Sequence, residues 1–291
     1  MKLDVAFSDA HSHSNPVHGV GAKVIARKFK EKGGWFIALV SLSPWSYGIE
    51  SPGYESYIKA ITVHRRECDD AAGERLNVAC FSGFHPADVD RLIDKYKVPG
   101  ESVLELGLKV IEYIGGLCRD RVLSGIGEVG RQHYKTSPER VVIAELILEK
   151  ALEYLVDYDC IIQMHLEHTG PITVELVDRV AKRVNLRGRH MKRLIFHHSK
   201  PVTSLEAYKR GYSSTIPGTS RLLRYAFTTM DPFYMVESDY IDDPHRPGVV
   251  AYPWAVVDEQ VELYREGVVD EEYLHKINID NVVRVFEVEY G

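Results

Sequence analysis

The chain begins with an apolar stretch that ends in two histidines, Leu3-Asp4-Val5-Ala6-Phe7-Ser8-Asp9-Ala10-His11-Ser12-His13. On an extended strand, residues two apart point to the same face, and the imidazoles of His11 and His13 can therefore reach one metal ion at the strand's end. Such a pair also occurs by chance. The prediction of a metal site thus depends on whether later strands end in further ligands.

The composition predicts a globular protein. No Pro/Gly/Ser-rich linker or low-complexity segment divides the chain, which predicts one domain over residues 1–291. A net charge of −6 disfavours a broad nucleic-acid-binding surface, although a local basic patch can still bind phosphate. No apolar segment approaches about 18 residues, and we therefore expect a cytoplasmic protein without a membrane span. The sequence gives no sign of an obligate protein partner. The cysteines form no Cys-x-x-Cys pair and predict buried thiols rather than disulfides; they are Cys68, Cys80, Cys118 and Cys160.

Eight short strand patterns alternate with helical patterns along the chain. The strands are predicted at 3–8, 35–41, 77–83, 122–126, 160–165, 193–197, 212–216 and 233–238. Helices are predicted at 22–32, 54–72, 87–97, 103–117, 139–156, 172–184, 221–229 and 256–267, with a closing helix at 270–289. This alternation predicts an α/β fold, a single (β/α)₈ TIM barrel with its metal site at the C-terminal ends of the strands. An open doubly wound sheet is the alternative, but no Gly-x-Gly-x-x-Gly follows the first strand.

Ionisable side chains stand at the predicted ends of several later strands. Glu128 lies between glycines at the end of the fourth strand, where a carboxylate can bridge two divalent ions. His165 and His197 each follow an apolar run and, with Glu128, predict a second set of metal ligands. Strand alternation lets only one of His197 and His198 face the interior; we choose His197 and keep His198 as the alternative. Asp239 ends the eighth strand and is predicted to hold a metal-bound water and accept its proton.

Two further carboxylates lie near these strand ends. Asp9 precedes His11 by one strand period, and its deeper position suits a supporting hydrogen bond better than a metal bond. Glu237 shares a strand face with Asp239 and is a second candidate ligand there.

These motifs stand in a specific order along the chain: Asp9-Ala10-His11-Ser12-His13, Gly83-Phe84-His85-Pro86, Gly127-Glu128-Val129-Gly130, His165, His197 and Glu237-Ser238-Asp239. The order resembles that of the TatD family of metal-dependent hydrolases, which belongs to the wider amidohydrolase-like barrel superfamily. The resemblance spans the whole chain. It implies that His11, His13, Glu128 and Asp239 hold one metal and that Glu128, His165 and His197 hold the other.

The resemblance also implies the chemistry. Glu128 and Asp239 would be the catalytic residues of a binuclear centre that uses a bridging hydroxide to cleave phosphate esters, with single-stranded DNA as a candidate substrate. Two ions about 3.5–4 Å apart suit such a reaction. Mixed imidazole and carboxylate ligands favour zinc, manganese, nickel or iron, and family precedent leaves magnesium open.

The chain departs from the family pattern at positions that concern substrate. Family members usually read Gly-Leu-Asp after the glutamate, where this chain reads Gly130-Arg131-Gln132, and they carry an arginine where this chain has Glu167. The family's Cys-Phe-Ser/Thr-Gly is replaced by His198-Ser199-Lys200-Pro201. Arg131 and Lys200 are predicted to restore the lost positive charge. The predicted substrate contacts are His85, Arg131, Lys200 and Arg246.

Three functions remain open from the sequence. The leading one is a two-metal phosphodiesterase or nuclease. A hydrolase of lactones, cyclic amides or other carbonyl substrates is the first alternative, although no lysine in the fourth strand could form the carbamate bridge common in that group. The second alternative is a metal-holding barrel that binds a ligand without turnover.

Overall fold

The computed structural model describes residues 3–243 and 251–291. Within these ranges eight parallel strands form one sheet in chain order. The strands are β1 (Phe7–Ser12), β2 (Gly34–Val40), β3 (Asn77–Ser82), β4 (Gly125–Gly130), β5 (Ile161–His165), β6 (Leu194–Phe196), β7 (Ser213–Pro217) and β8 (Met235–Glu237). Backbone hydrogen bonds join the end of β1 to the segment after β8: Asp239 donates to His11 O at 2.9 Å, and His13 donates to Tyr240 O at 2.8 Å. The predicted (β/α)₈ barrel is confirmed.

Helices follow the strands around the outside of the barrel. They are α1 (Ala22–Glu31), α2 (Tyr54–Gly73), α3 (Pro86–Asp94), α4 (Gly100–Arg119), α5 (Pro138–Tyr158), α6 (Pro171–Arg183), α7 (Pro201–Lys209), α8 (Ser220–Thr229), α9 (Pro253–Arg265), α10 (Glu271–His275) and α11 (Asn281–Phe286). The predicted closing helix is interrupted, because a π-helical turn at Lys276–Asp280 separates α10 from α11.

The helix α7 was not predicted, and its packing gives the reason. Its buried positions are small or polar, namely Thr203, Ser204 and Ala207. Its large apolar side chains Val202 and Leu205 face outward, at 61% and 42% exposure. The apolar pattern therefore does not mark the inner face, which is what a search for amphipathic spacing relies on.

The alternating residues of the strands build an inner and an outer core. On β2, Phe36 and Ala38 belong to the cluster inside the barrel, whereas Ile37 and Leu39 pack against the surrounding helices. Phe286 of α11 belongs to the inner cluster. Because apolar side chains fill the inside of the barrel, the ionisable residues at the strand ends stand above a packed core rather than in a channel.

Two disulfides correct the prediction of four buried thiols. Cys68 of α2 is bonded to Cys80 of β3, and Cys118 of α4 is bonded to Cys160, the residue before β5. Their Cα atoms are 5.9 and 6.0 Å apart, within the range that a disulfide requires. The partners are 12 and 42 residues apart in sequence and become neighbours only when the helices pack on the barrel. None of the described helices is both long and apolar enough to span a membrane.

Candidate metal centre

The two histidines at the end of β1 present one ring nitrogen each to the same point. Their Nε2 atoms are 3.2 Å apart, and both side chains are buried. The other ring nitrogens are already engaged, since His11 Nδ1 contacts Gln163 Oε1 and His13 Nδ1 donates to Val40 O at 2.9 Å. Because Gln163 Nε2 donates to Ala10 O at 3.1 Å, its Oε1 is an acceptor and His11 Nδ1 carries the proton. In the neutral form of each ring, Nε2 therefore offers a lone pair to the same point, which suits a shared cation.

Asp239 completes this first ligand set. One carboxylate oxygen, Oδ1, lies 3.8 Å from His11 Nε2 and 3.7 Å from His13 Nε2. Burial opposes the charge of Asp239, but the nearby His13 and the hydrogen bond from His198 hold its pKa well below the usual range. Burial, together with the nearby His197, lowers the pKa of His11 to about 4. An ionised carboxylate thus faces neutral His11, as a ligand set for a divalent ion requires.

The Glu128 carboxylate lies between the first set and a second one. Its Oε2 atom is 3.6 Å from His13 Nε2, while its Oε1 atom is 2.8 Å from both His165 Nδ1 and His197 Nε2. Burial raises the pKa of Glu128, but electrostatic interactions with His85 and His197 and hydrogen bonds from His165 and His197 outweigh the effect of burial and hold the pKa well below normal. One oxygen of an ionised carboxylate therefore lies beside each set, as in a bridging ligand.

The imidazole of His197 is buried and oriented from behind by Glu237. His197 Nδ1 lies 3.3 Å from Glu237 Oε2, which also accepts a hydrogen bond from Thr215 Oγ1 at 2.5 Å. Among the described residues, His197 Nε2 has no partner with hydrogen-bond geometry, although Glu128 Oε1 is close. Burial lowers the pKa of His197, but Glu237 and Glu128 outweigh this and raise it well above normal. A buried imidazole that faces one carboxylate and is oriented by another on the far side of its ring is typical of a metal ligand, where the metal ion takes the place of the proton.

The neighbouring His198 occupies a different position. Its side chain is 41% exposed, and its Nδ1 donates to Asp239 Oδ2 at 2.7 Å. Burial lowers the pKa of His198, but Asp239 and Glu237 outweigh this and raise it. The geometry places His197 beside Glu128, in the position predicted for the ligand, and brings His198 to the outer side of Asp239.

His165 has a partner on each side of its ring. Its Nδ1 faces Glu128, and its Nε2 lies 2.6 Å from His133 Nδ1. If Nδ1 is the ligating atom, the Nε2 proton is donated to His133, which fixes the orientation of the ring. The exposed His133 lies at the rim of the site, as the sequence position after β4 suggests.

Asp9 supports the site by hydrogen bonds to the residue next to Asp239. Its two carboxylate oxygens accept hydrogen bonds from the backbone N and the hydroxyl of Ser238, at 2.8 and 2.6 Å. Burial raises the pKa of Asp9 to about 7. Asp9 thus connects β1 to the residue before Asp239, a position that suits the supporting role predicted for it.

His85 lies beside Glu128 with a proton available for donation. Its Nδ1 accepts a hydrogen bond from Ala87 N at 3.0 Å, and its Nε2 is 3.7 Å from Glu128 Oε2. Burial is the largest of the effects that lower the pKa of His85 to about 3. The neutral ring therefore carries its proton on Nε2 and points a donor toward the site, which suits contact with a substrate oxygen better than ligation.

Arg131 is not free to contact a substrate. Its buried guanidinium donates two hydrogen bonds to Glu167, at 2.9 and 2.8 Å, and one to Glu145 at 2.8 Å. Two departures from the family pattern, Arg131 and Glu167, thus pair with each other.

Lys200 is exposed, and its side chain makes no hydrogen bond or ion pair with the residues that the structure describes. The fourth predicted substrate contact, Arg246, lies outside the described residues.

Comparisons with known proteins bear on this arrangement. A family profile described as TatD related DNase matches residues 8–287. A protein of Methanocaldococcus jannaschii named uncharacterized protein MJ1127 is 27% identical over 283 residues, which cover 97% of this chain and 96% of that protein. Among solved structures, the TatD homologue YJJV of Escherichia coli has a TM-score of 0.65 at 14% identity, covering 97% of this chain and 98% of that one. A phosphotriesterase homology protein of Escherichia coli, complexed with phosphate in its active site, has a TM-score of 0.62 at 12% identity, covering 98% and 100%.

Proposed function

The chain belongs to the TatD-related DNase family, and from this premise we propose that it is a metal-dependent hydrolase that cleaves phosphate esters with two divalent ions. One observation carries the proposal. The Nε2 lone pairs of His11 and His13 converge at 3.2 Å beside the ionised carboxylate of Asp239. Burial lowers the pKa of His13, but Asp239 and Glu128 outweigh this and raise it, and a bound divalent ion would take the place of the proton that these carboxylates favour.

The donor atoms present fit two ions. His11, His13 and Asp239 would hold one, Glu128 would bridge, and the second would be held by two further imidazoles, those of His165 and His197. His197 Nε2, which lies 2.8 Å from Glu128 Oε1, supports the second position. Bound divalent ions at such a site lower the pKa of water and offset charge on a phosphoryl oxygen. Imidazole-rich ligands favour zinc, manganese, nickel or iron over magnesium.

The protein's own groups have separate roles in the proposed reaction. Asp239 Oδ1 faces the first ligand set as an ionised carboxylate and is placed to accept a proton from the attacking water. His198 donates to the other oxygen of Asp239 and so holds the carboxylate in position. His85 Nε2–H points toward the same space and is placed to donate to a substrate oxygen.

The phosphate-ester class is supported by charge at the rim. Lys200 is an exposed cation that no described carboxylate neutralises, and it lies between the His197–Ser199 segment and the first residue of α7. One structural relative was solved with phosphate in its active site. We propose a phosphodiester, with single-stranded DNA as a candidate, as the substrate. The cytoplasmic location and the single domain over 1–291 stay predictions.

A carbonyl substrate is the second candidate, and one observation favours it. Glu145 and Glu167 neutralise Arg131, and in the described part of the site Lys200 is therefore the cation left for a phosphate. A lactone or cyclic amide carries no charge and needs no such cation. The polarised oxygen of its carbonyl would use the same donor, His85.

The experiment compares substrates on one enzyme preparation. Protein loaded with manganese, zinc or magnesium is assayed on bis(p-nitrophenyl) phosphate, single-stranded DNA, lactones and cyclic amides, beside the variant Glu128→Ala. Glu112→Ala, on the exposed surface of α4, is the matched control. We expect phosphodiester cleavage that Glu128→Ala abolishes and Glu112→Ala leaves unchanged. Cleavage of carbonyl substrates alone supports the second candidate. Metal binding that Glu128→Ala removes, with no turnover of any substrate, supports the barrel that only binds a ligand.

A further inference from the structure

A group of large apolar side chains is exposed on the outer faces of α5, α6 and α7. Seven of the sixteen exposed large apolar residues in the described ranges lie there, and we call this surface the α5–α7 face. Its members are Val142 (57% exposed), Leu146 (43%), Ile172 (75%), Leu176 (41%), Val202 (61%), Leu205 (42%) and Tyr208 (51%). Single exposed apolar residues are ordinary, whereas a cluster on three consecutive helices indicates a binding surface.

Contacts between the helices show that the face is continuous. Arg183 of α6 donates to Glu149 of α5 at 2.9 Å, and Arg210, just after α7, donates to Glu175 of α6 at 2.8 Å. Glu149 lies one turn beyond Leu146 on the same side of α5, since residues three or four apart share a helix face. The three helices are therefore adjacent, and their apolar rows form one surface.

The exposed apolar area is of the size that a stable dimer buries. Seven large side chains at these exposures leave on the order of 500 Å² of apolar surface in water. A standard interface buries roughly 800 Å² per partner. About 65% of the area in a homodimer interface is apolar, and this share of 800 Å² is on the order of 500 Å². The apolar area exposed on the α5–α7 face therefore matches the apolar area that each partner buries.

The charges on this face identify the occupant. Glu175 pairs with Arg179 at 2.9 Å and with Arg210 at 2.8 Å, and Arg183 pairs with Glu149, which leaves the face locally neutral. A nucleic acid or an anionic membrane requires a row of unpaired basic residues. The pairing removes the arginines of the face from such a row, and Lys200 remains as a single unpaired cation at its edge. A neutral apolar face that every copy carries suits another copy of itself across a two-fold axis. We propose that the chain forms a homodimer through the α5–α7 face.

The dimer would border the opening of the metal site. Ile172 and Val202 lie in the first turns of α6 and α7, which follow the loops that carry His168 and Lys200. In a barrel of this kind the helices begin at the catalytic end of the strands. The partner copy therefore stands beside the rim on the β5 and β6 side, and this inference is independent of which substrate the site takes.

Sedimentation velocity of the full-length, metal-loaded protein over a concentration series tests the proposal. We expect a dimer, and we expect the double variant Ile172→Glu/Val202→Glu to raise its dissociation constant by more than about 100-fold, because four unpaired carboxylates would be buried at the interface. The control is Val24→Glu/Val122→Glu, two exposed valines outside the face at 37% each, which should leave the dissociation constant unchanged. A monomeric wild type at every concentration, or a dimer that the control disrupts and the face variant does not, overturns the proposal.

Hydrogen exchange on the wild type decides the outcome if the face variant fails to fold. Concentrated and diluted samples are compared at equal exchange times. We expect concentration-dependent protection at residues 171–176 and 201–208. Protection confined to other helices, or none, overturns the proposal.

Discussion

Replacing Gln163 with leucine is expected to weaken metal binding, although Gln163 is not a ligand. Gln163 Oε1 is the acceptor for His11 Nδ1, and this contact keeps the proton off the Nε2 atom that faces the site. The leucine variant removes the acceptor and leaves the buried Nδ1–H without a partner. The imidazole would then be free to rotate or to exchange its proton between the two nitrogens, and the lone pair on Nε2 would no longer be held in place.

The magnitude follows from this contact. Removing a partner that orients a metal-bound histidine typically lowers metal affinity about 10–100-fold. Such a change corresponds to about 1.4–2.7 kcal/mol. Leaving a buried donor unsatisfied costs about 1–3 kcal/mol, which is the same range. We therefore expect the dissociation constant for the first ion to rise about 10–100-fold.

A chelator competition titration measures this change, with Gln260→Leu as the matched control. Both glutamines are fully buried, and Gln260 Oε1 accepts from Asn278 Nδ2 at 2.8 Å, away from the site. Both variants should lower the free energy of unfolding, whereas only Gln163→Leu should weaken metal binding. Unchanged metal affinity in Gln163→Leu, or an equal loss in Gln260→Leu, would refute the reasoning.

Three further predictions concern the rest of the molecule. Replacing Cys118 and Cys160 together with serine should lower stability by about 4 kcal/mol, seen in chemical denaturation, because the bond links residues 42 apart. Burial opposes the charge of Asp90, but hydrogen bonds from its neighbours lower its pKa below 3.8. The ionised Asp90 therefore stabilises the folded protein fully above pH 3.8, and this contribution is lost as the pH falls through the pKa of the folded state. Asp90→Asn should flatten that part of the acid-unfolding curve, and an unchanged curve would contradict this. Arg131→Leu should destabilise the fold by about 3–5 kcal/mol, since it leaves two glutamates unpaired, whereas a raised KM at unchanged stability would show that Arg131 contacts substrate.

The sequence predicts the strand ends well, because a barrel strand and its terminal polar residue are both local features. His11, His13, Glu128, His197 and Asp239 could all be picked out in this way, and the fold brings them together. The strand limits were less accurate. The first strand ends at Ser12 rather than at residue 8, since the buried strand includes polar residues that a hydrophobic pattern treats as its end.

The groups that sequence reasoning missed act across the fold. Gln163 supports His11 from a strand on the other side of the barrel, 152 residues away in sequence. Glu237 was considered a ligand, but it contacts His197 from behind. The pairing of Arg131 with Glu167 joins two loops whose separate charges suggested a phosphate contact and a lost one. No spacing rule reports such contacts, because they depend on how the strands are arranged around the barrel.

The most direct test of the account is a metal titration of the metal-free protein, followed by the rate of bis(p-nitrophenyl) phosphate hydrolysis. The account predicts that activity rises with added zinc or manganese and reaches its plateau at two ions per chain. A plateau at one ion would contradict the binuclear centre. No phosphodiester hydrolysis at any metal content would contradict the proposed function.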